Sequence, residues 1–107
     1  VAHQGQIDGG FAFGLGQALM EELLADDGRT TTLSLADYKL PTTRDIPPLR
    51  TRLLAAPPGD GPYGAKMIGE LVNISVAPAI ADAVANATGV RLRTYPFTAE
   101  RIFSATR

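Results

Sequence analysis

The feature that most constrains the fold is a run of apolar residues with a helical period near the start of the chain. Five apolar residues recur at four-residue intervals, namely Ile7, Phe11, Leu15, Leu19 and Leu23. Residues four apart lie on the same face of an α-helix, so this spacing predicts one long helix between Gly5 and Asp26. The turn-forming sequence Asp26-Asp27-Gly28 is expected to end it.

The predicted helix is rich in glycine, with Gly9, Gly10, Gly14 and Gly16 inside it. Each glycine costs about 1 kcal/mol relative to alanine in a helix interior, so another benefit must offset the loss. Gly10, Gly14 and Ala18 follow one another at four-residue intervals and form a smooth stripe. Such a stripe allows close approach by another backbone or by a ligand. The residues alone support both interpretations equally.

Further along the chain, the β-branched stretch Thr30–Leu35 predicts a strand. Leu49–Ala55, with Leu49, Thr51 and Leu53 on one face, and Val90–Tyr95 are also predicted to be strands. The stretch Pro57–Gly64 contains three prolines and three glycines, a composition typical of a defined loop. The predicted elements therefore include a long N-terminal helix and a few strands.

Two helices are predicted in the C-terminal part. Pro78 is expected in the first turn of one helix, which Gly89 ends, and Thr98 is expected to cap the last helix. The element order predicts an α+β fold, with residues 1–107 as one small mixed domain.

Composition excludes several classes of function. Ten Lys and Arg residues against 11 Asp and Glu give a net charge of −1, so there is no basic excess for nucleic acid. With no cysteine and a single histidine, His3, no Cys/His metal site is expected. No apolar run approaches the roughly 20 residues that span a bilayer, so no membrane role is expected. The chain starts without an initiator Met, which predicts that it is part of a longer polypeptide.

The segment Gly64–Glu70 has the composition of a possible site, because Lys66 and Glu70 alternate with glycines directly after the Pro/Gly loop. One interpretation is a turn with two exposed charged side chains. The other is a binding site, in which glycine backbone approaches a ligand and a carboxylate beside Ile68 and Leu71 serves as a general base. Spacing alone favours the exposed turn.

Several blocks together resemble one family. Gly5–Glu22 resembles the helix that opens the final segment of molybdenum hydroxylase large subunits, and Gly64–Glu70 is similar to the family's Gly-Ala-Lys-Gly-Val-Gly-Glu block. Further matching blocks follow in the family's order: 36–42, 77–84 and 98–102. The chain thus resembles the C-terminal segment of the molybdopterin-binding subunit of the xanthine dehydrogenase and aldehyde oxidase family.

The resemblance implies a role for individual residues. Glu70 corresponds to the general base that deprotonates a hydroxide on the molybdenum, in the oxidation of an aldehyde or N-heterocycle with water as oxygen source. Gln6, Lys66 and Gly69 correspond to cofactor-binding positions. The pterin dithiolene would hold the molybdenum, so no protein metal ligand is expected.

The resemblance also implies cofactors and partners. Molybdopterin, in its cytosine dinucleotide form, would be shared with the remaining part of the molybdenum subunit, and iron-sulfur clusters and FAD would lie on partner chains or domains. The enzyme would be cytoplasmic and act on a small molecule. The isolated piece is expected to be inactive and to self-associate. The alternative is a non-catalytic ligand-binding or assembly module, for which Met67 in place of the family's glycine is the main argument.

Overall fold

Three helices and one short hairpin make up most of the regular structure in the computed structural model, which describes residues 1–107. The elements in chain order are α1 (Ala2–Leu19), β1 (Ala25–Asp26), β2 (Arg29–Thr30), α2 (Gly69–Thr88) and α3 (Ala99–Ala105). A single 3-10 turn, Pro62–Gly64, lies in the Pro/Gly loop. The predicted α+β class, with a long N-terminal helix and two C-terminal helices, is confirmed.

Helix α1 ends seven residues earlier than predicted. The amide of Met20 donates to the Gly16 carbonyl at 2.9 Å, and the chain then leaves the helix. The Asp-Gly pair that was expected to end the helix instead forms the turn between β1 and β2, with φ of 44° at Asp27 and 75° at Gly28. Two consecutive positive φ angles are typical of a tight hairpin turn, for which Asp-Gly is a preferred sequence.

The predicted strands Leu49–Ala55 and Val90–Tyr95 are wrong, and of Thr30–Leu35 only Thr30 belongs to a strand. A strand needs a partner edge for its backbone hydrogen bonds, and β1 with β2 is the chain's only ladder. A side-chain hydrogen bond holds the segment Leu49–Ala55 to α1 instead, because the Thr51 hydroxyl donates to Asp8 Oδ1 at 2.8 Å.

Helix α2 begins at Gly69, nine residues before the predicted start at Pro78. The helix continues through Pro78, which lacks the N–H that would bond the carbonyl of Ile74. The predicted end is confirmed. Gly89 has a φ of 76° and its amide donates to the Ala85 carbonyl at 2.8 Å. The left-handed conformation there suits glycine.

Helices α1 and α2 pack through the smooth stripe. A Cβ added to Gly10 would overlap the carbonyl oxygen of Gly69, and one added to Gly14 would lie 2.5 Å from the Cβ of Val76. The stripe therefore brings two helices together, which was one of the two interpretations. This contact offsets the helix propensity lost at the glycines.

The small core lies at the other end of the same helix pair. It consists of Ala18, Ala81 and Phe97, and the Phe97 amide donates to the Ala18 carbonyl at 2.6 Å. Helix α3 is capped as predicted, since the Thr98 hydroxyl accepts from the Arg101 amide. The Arg101 guanidinium also donates to Glu22 Oε1 at 2.6 Å and so links α3 to the segment after α1.

The chain buries little of its own apolar surface. Only 9 of 107 residues are buried, and the radius of gyration is 16.8 Å, against about 13 Å for a compact domain of this length. Large apolar side chains on both long helices face outward, among them Phe13, Leu71 and Ile74. Exposed apolar faces of this kind are typical of surfaces that contact another surface.

The prediction that no apolar run is long enough to span a bilayer is corrected by one helix. Helix α2 has 20 residues and is long and apolar enough to cross a bilayer, by length and composition only. The sequence interpretation placed its start at Pro78 and so saw a shorter helix. An apolar helix inside a water-soluble protein has the same length and composition, so these properties do not assign a membrane role.

The isolated 107-residue chain is expected to self-associate, because its exposed apolar residues lose contact with water when two copies meet. Sedimentation velocity over a hundredfold range of concentration should show dimers or larger species increasing with concentration. Replacing exposed Leu71 and Ile74 with glutamine should shift this distribution toward monomer. A compact monomer at every concentration would contradict the prediction.

Candidate functional site

A cavity of about 180 Å³ lies between the N-terminal halves of α1 and α2. Eight residues line it: Gly5, Gln6, Gly9, Gly10, Phe13, Gly69, Glu70 and Asn73. On α1, Gln6, Gly9, Gly10 and Phe13 share a face because they are three to four residues apart. On α2, Glu70 and Asn73 are one turn apart. The early start of α2 thus places Glu70 in its first turn, opposite Gln6.

Glycines leave part of the cavity wall as bare backbone. A Cβ added to Gly5 or to Gly9 would meet no atom of the chain within 4 Å, so the space beside them is open. A Cβ added to Gly69 would lie 3.2 Å from Gln6 Oε1, which places the Gln6 amide directly beside the start of α2. Open backbone next to an amide group is suited to a flat polar ligand that approaches closely.

Glu70 is exposed and takes part in neither of the chain's two ion pairs, which are Arg91–Asp82 and Arg101–Glu22. In the binding-site interpretation, the carboxylate lies beside the apolar residues Ile68 and Leu71. Ile68 is partly buried, but Leu71 is 53% exposed, so this chain alone does not exclude water from the carboxylate. The carboxylate is therefore free of internal partners, and Glu70 lines the cavity.

Lys66 lies outside this cavity. It lines a neighbouring, larger cavity of about 620 Å³, which also includes Gln6 and Met67. A Cβ added to Gly59 would lie 2.9 Å from Lys66 Cγ, so the lysine stem runs along the Pro/Gly loop. The structure thus brings Gln6, Gly69 and Glu70 together around one cavity, and only Gln6 connects them to Lys66.

Met67 does not strain the backbone. The non-glycine residues with positive φ are Asp27 and Tyr63, and Met67 is not among them. Its side chain is 63% exposed and lines the same cavity as Lys66. Its conformation is therefore one that any residue can adopt, so methionine in place of the family's glycine causes no backbone strain here.

The block at 36–42 contacts the segment that follows α1. The Tyr38 hydroxyl donates to Glu21 Oε2 at 2.7 Å. This hydrogen bond to a carboxylate raises the pKa of the Tyr38 phenol above its usual value. Tyr38 therefore holds this loop against the end of α1, and it lies outside the cavity around Glu70.

Sequence reasoning missed Asn73, the third polar side chain of the cavity. Its Oδ1 is a buried side-chain atom with no hydrogen-bond partner. The signal was available as a spacing, because Asn73 follows Glu70 by three residues and shares its helix face. It was overlooked because α2 was expected to begin only at Pro78.

The chain's His, Asp and Glu side chains form no group of three or more that could hold a metal ion. A metal in this region would therefore need ligands from a cofactor or from another part of the protein.

Comparison with known proteins defines the class. Residues 2–47 match the family model of the molybdopterin cofactor-binding domain. The chain is 40% identical over 102 residues to a putative xanthine dehydrogenase molybdenum-binding subunit of Escherichia coli K12, covering 94% of the chain and 14% of that protein. It is 42% identical over 100 residues to the molybdenum-binding subunit of an aldehyde oxidoreductase from the same organism, covering 91% of the chain and 14% of the relative.

Solved structures agree in fold. Quinoline 2-oxidoreductase from Pseudomonas putida 86 superimposes with a TM-score of 0.84 and 42% identity, over 96% of this chain and 14% of that one. A Cu,Mo-CO dehydrogenase superimposes with a TM-score of 0.81 and 27% identity, over 95% of this chain and 13% of its own.

The chain matches part of the molybdopterin-binding subunits of the xanthine dehydrogenase and aldehyde oxidase family, and the recognition made from its sequence blocks is confirmed. It spans about one seventh of the length of the relatives it matches.

Proposed function

We propose that this chain forms the part of a molybdenum hydroxylase that carries the catalytic base, Glu70, and one wall of the cofactor site. The observation that carries the proposal is that Gln6, Gly69 and Glu70 line a single cavity between α1 and α2. Residues more than 60 positions apart in sequence meet there. By the resemblance in sequence, each of the three corresponds to a site position in the xanthine dehydrogenase and aldehyde oxidase family.

The cavity wall fits a pterin. Bare backbone at Gly5 and Gly9 leaves space for a flat ring system, and the Gln6 carboxamide offers both a donor and an acceptor to its polar edge. We assign Gln6 and the backbone at Gly69 to pterin contacts, and Lys66 to the more distant part of the cofactor, because it lines the adjoining cavity. The pterin-bound molybdenum would supply the oxygen nucleophile and accept the substrate's electrons.

Glu70 accepts the proton that the nucleophile loses. A carboxylate with no internal partner keeps its lone pairs for this transfer, and its place in the first turn of α2 fixes its direction. The rest of the subunit would cover Leu71 and the open side of the cavity. That covering would remove water from around Glu70 and strengthen its interaction with the proton it receives.

The wider assembly follows the sequence expectation. We propose that residues 1–107 are a C-terminal part of the cofactor-binding domain, inactive alone, and that the intact enzyme carries molybdopterin in its cytosine dinucleotide form. Iron-sulfur and FAD subunits or domains would carry the electrons onward, in the cytoplasm. The substrate is an aldehyde or an N-heterocycle. The names of the relatives, which include a xanthine dehydrogenase, an aldehyde oxidoreductase and a quinoline oxidoreductase, support this range.

A direct test is to express the complete subunit with the chains encoded beside it, then measure bound molybdenum and oxidation of xanthine, quinoline and benzaldehyde in ¹⁸O-labelled water. Molybdenum near one equivalent and ¹⁸O in the product are expected. A complete assembly that binds molybdenum but oxidises none of the three would favour the alternative of a non-catalytic module.

A further inference from the structure

Asn73 is poorly explained by the stability of the fold. Its Oδ1 is buried without a hydrogen-bond partner, and it is the only such side-chain atom in the chain. A buried polar atom left unpaired costs about 1–3 kcal/mol, whereas an apolar side chain of the same shape would avoid that cost. A residue that costs stability at a cavity wall needs a reason at the cavity.

The other end of the amide is available to a ligand. Asn73 lines the cavity, and its Nδ2 makes no hydrogen bond in the chain and is not among the buried unpaired atoms. An amide nitrogen carries two N–H donors and no acceptor. The cavity lining therefore includes an amide that can donate one helical turn from Glu70, whereas the carboxylate of Glu70 can only accept.

We propose that the Asn73 amide binds the substrate, by donating a hydrogen bond to the carbonyl oxygen or ring nitrogen next to the carbon that is oxidised. The inference rests on the proposed function and adds to it a residue that positions the substrate. A base and a donor on one helix face define a direction across the cavity. The substrate's acceptor atom lies at Asn73 and its reacting carbon lies toward Glu70.

The arrangement also helps the reaction. When a nucleophile adds to a carbonyl or an aromatic C=N carbon, negative charge develops on the neighbouring oxygen or nitrogen. A donor already aimed at that atom binds it more tightly as the charge grows. Asn73 should therefore contribute to substrate affinity and to turnover, and substrates without an acceptor atom beside the reacting carbon should gain nothing from it.

The test uses the complete, molybdenum-loaded enzyme with Asn73→Leu, and Asn86→Leu as the matched control. Asn86 is the other asparagine of α2 and is exposed, away from the cavity. Loss of one neutral hydrogen bond should raise KM, or lower kcat/KM, about three- to tenfold for quinoline or benzaldehyde. Molybdenum content should stay the same, and the unfolding midpoint should stay the same or rise. Asn86→Leu should match wild type.

A measurement of substrate binding distinguishes the proposed role of Asn73 from the proposed role of Glu70, on which it rests. In a Glu70→Gln background, which should bind without turnover, calorimetric titration with quinoline should show weaker binding when Asn73→Leu is added. Unchanged binding and unchanged kcat/KM would overturn the role of Asn73 while leaving Glu70 as the base. A drop in molybdenum content would also overturn it, since Asn73 would then support the cofactor and not the substrate. Full turnover in Glu70→Gln would instead overturn the proposed function.

Discussion

Glu70→Gln in the complete enzyme should lower turnover by about 10²- to 10⁴-fold, the usual contribution of a positioned general base, while bound molybdenum stays near the wild-type amount. Glutamine has the size of glutamate and keeps one acceptor oxygen, but it cannot take up a proton at neutral pH. The Glu70 side chain is exposed and has no ion pair within the chain, so the substitution should not disturb folding.

Glu100→Gln provides the matched control for this experiment. Glu100 is also an exposed glutamate in the first turn of a helix, but it lies in α3, away from the cavity around Glu70. Hydrogen bonds to its own backbone amide and to Thr98 lower its pKa, so its carboxylate already has a structural role at the helix start. Turnover in this variant should stay close to wild type. Equal activity of the two variants would show that Glu70 is not the base.

Gly10→Ala in the complete subunit should destabilise the fold by about 1–3 kcal/mol and reduce bound molybdenum. Alanine normally stabilises a helix relative to glycine, but here the new Cβ would overlap the Gly69 carbonyl oxygen. Backbone atoms cannot move aside without separating α1 from α2. Separation would widen the cavity that Gln6 and Glu70 share. Urea unfolding and metal analysis measure the two effects.

Gly9→Ala tests the same substitution where there is space. A Cβ at Gly9 would meet nothing within 4 Å, so the unfolding free energy should stay the same or rise by about 0.5–1 kcal/mol. Gly9 still lines the cavity, and the added methyl should weaken cofactor binding without loss of stability. If Gly9→Ala and Gly10→Ala proved equally unstable, close packing of the stripe against α2 could not be the reason for these glycines.

The sequence predicted helices more reliably than it predicted their limits. The four-residue apolar period, the glycine at position 89 and the threonine at position 98 are local signals. The structure confirms the helix that the period predicted as far as Leu19, and it confirms the helix end at Gly89 and the cap at Thr98. The Asp-Gly pair and Pro78 are equally local signals, but each occurs in more than one kind of structure. Asp27-Gly28 suits a helix end and a hairpin turn, and proline suits a helix start while a well-packed helix also tolerates it.

The predicted strands failed for a different reason. The side-chain patterns at 49–55 and 90–95 are compatible with an extended backbone, but a strand exists only where another edge accepts its hydrogen bonds. Within this chain no such edge reaches them, and contacts such as the Thr51–Asp8 hydrogen bond hold the extended chain instead. Information about a partner edge does not reside in the segment itself.

The sequence by itself determined the family, the smooth stripe on α1 and the positions of Gln6 and Glu70, because each depends on residue types at fixed spacing. Only the tertiary structure decided that the stripe packs against α2, since the stripe suited a backbone and a ligand equally well. It also decided that α2 begins at Gly69, which turns Glu70 and Asn73 toward Gln6 and leaves Lys66 at the neighbouring cavity. Which residues meet at a cavity depends on how two segments distant in sequence pack together. No local sequence pattern specifies that packing.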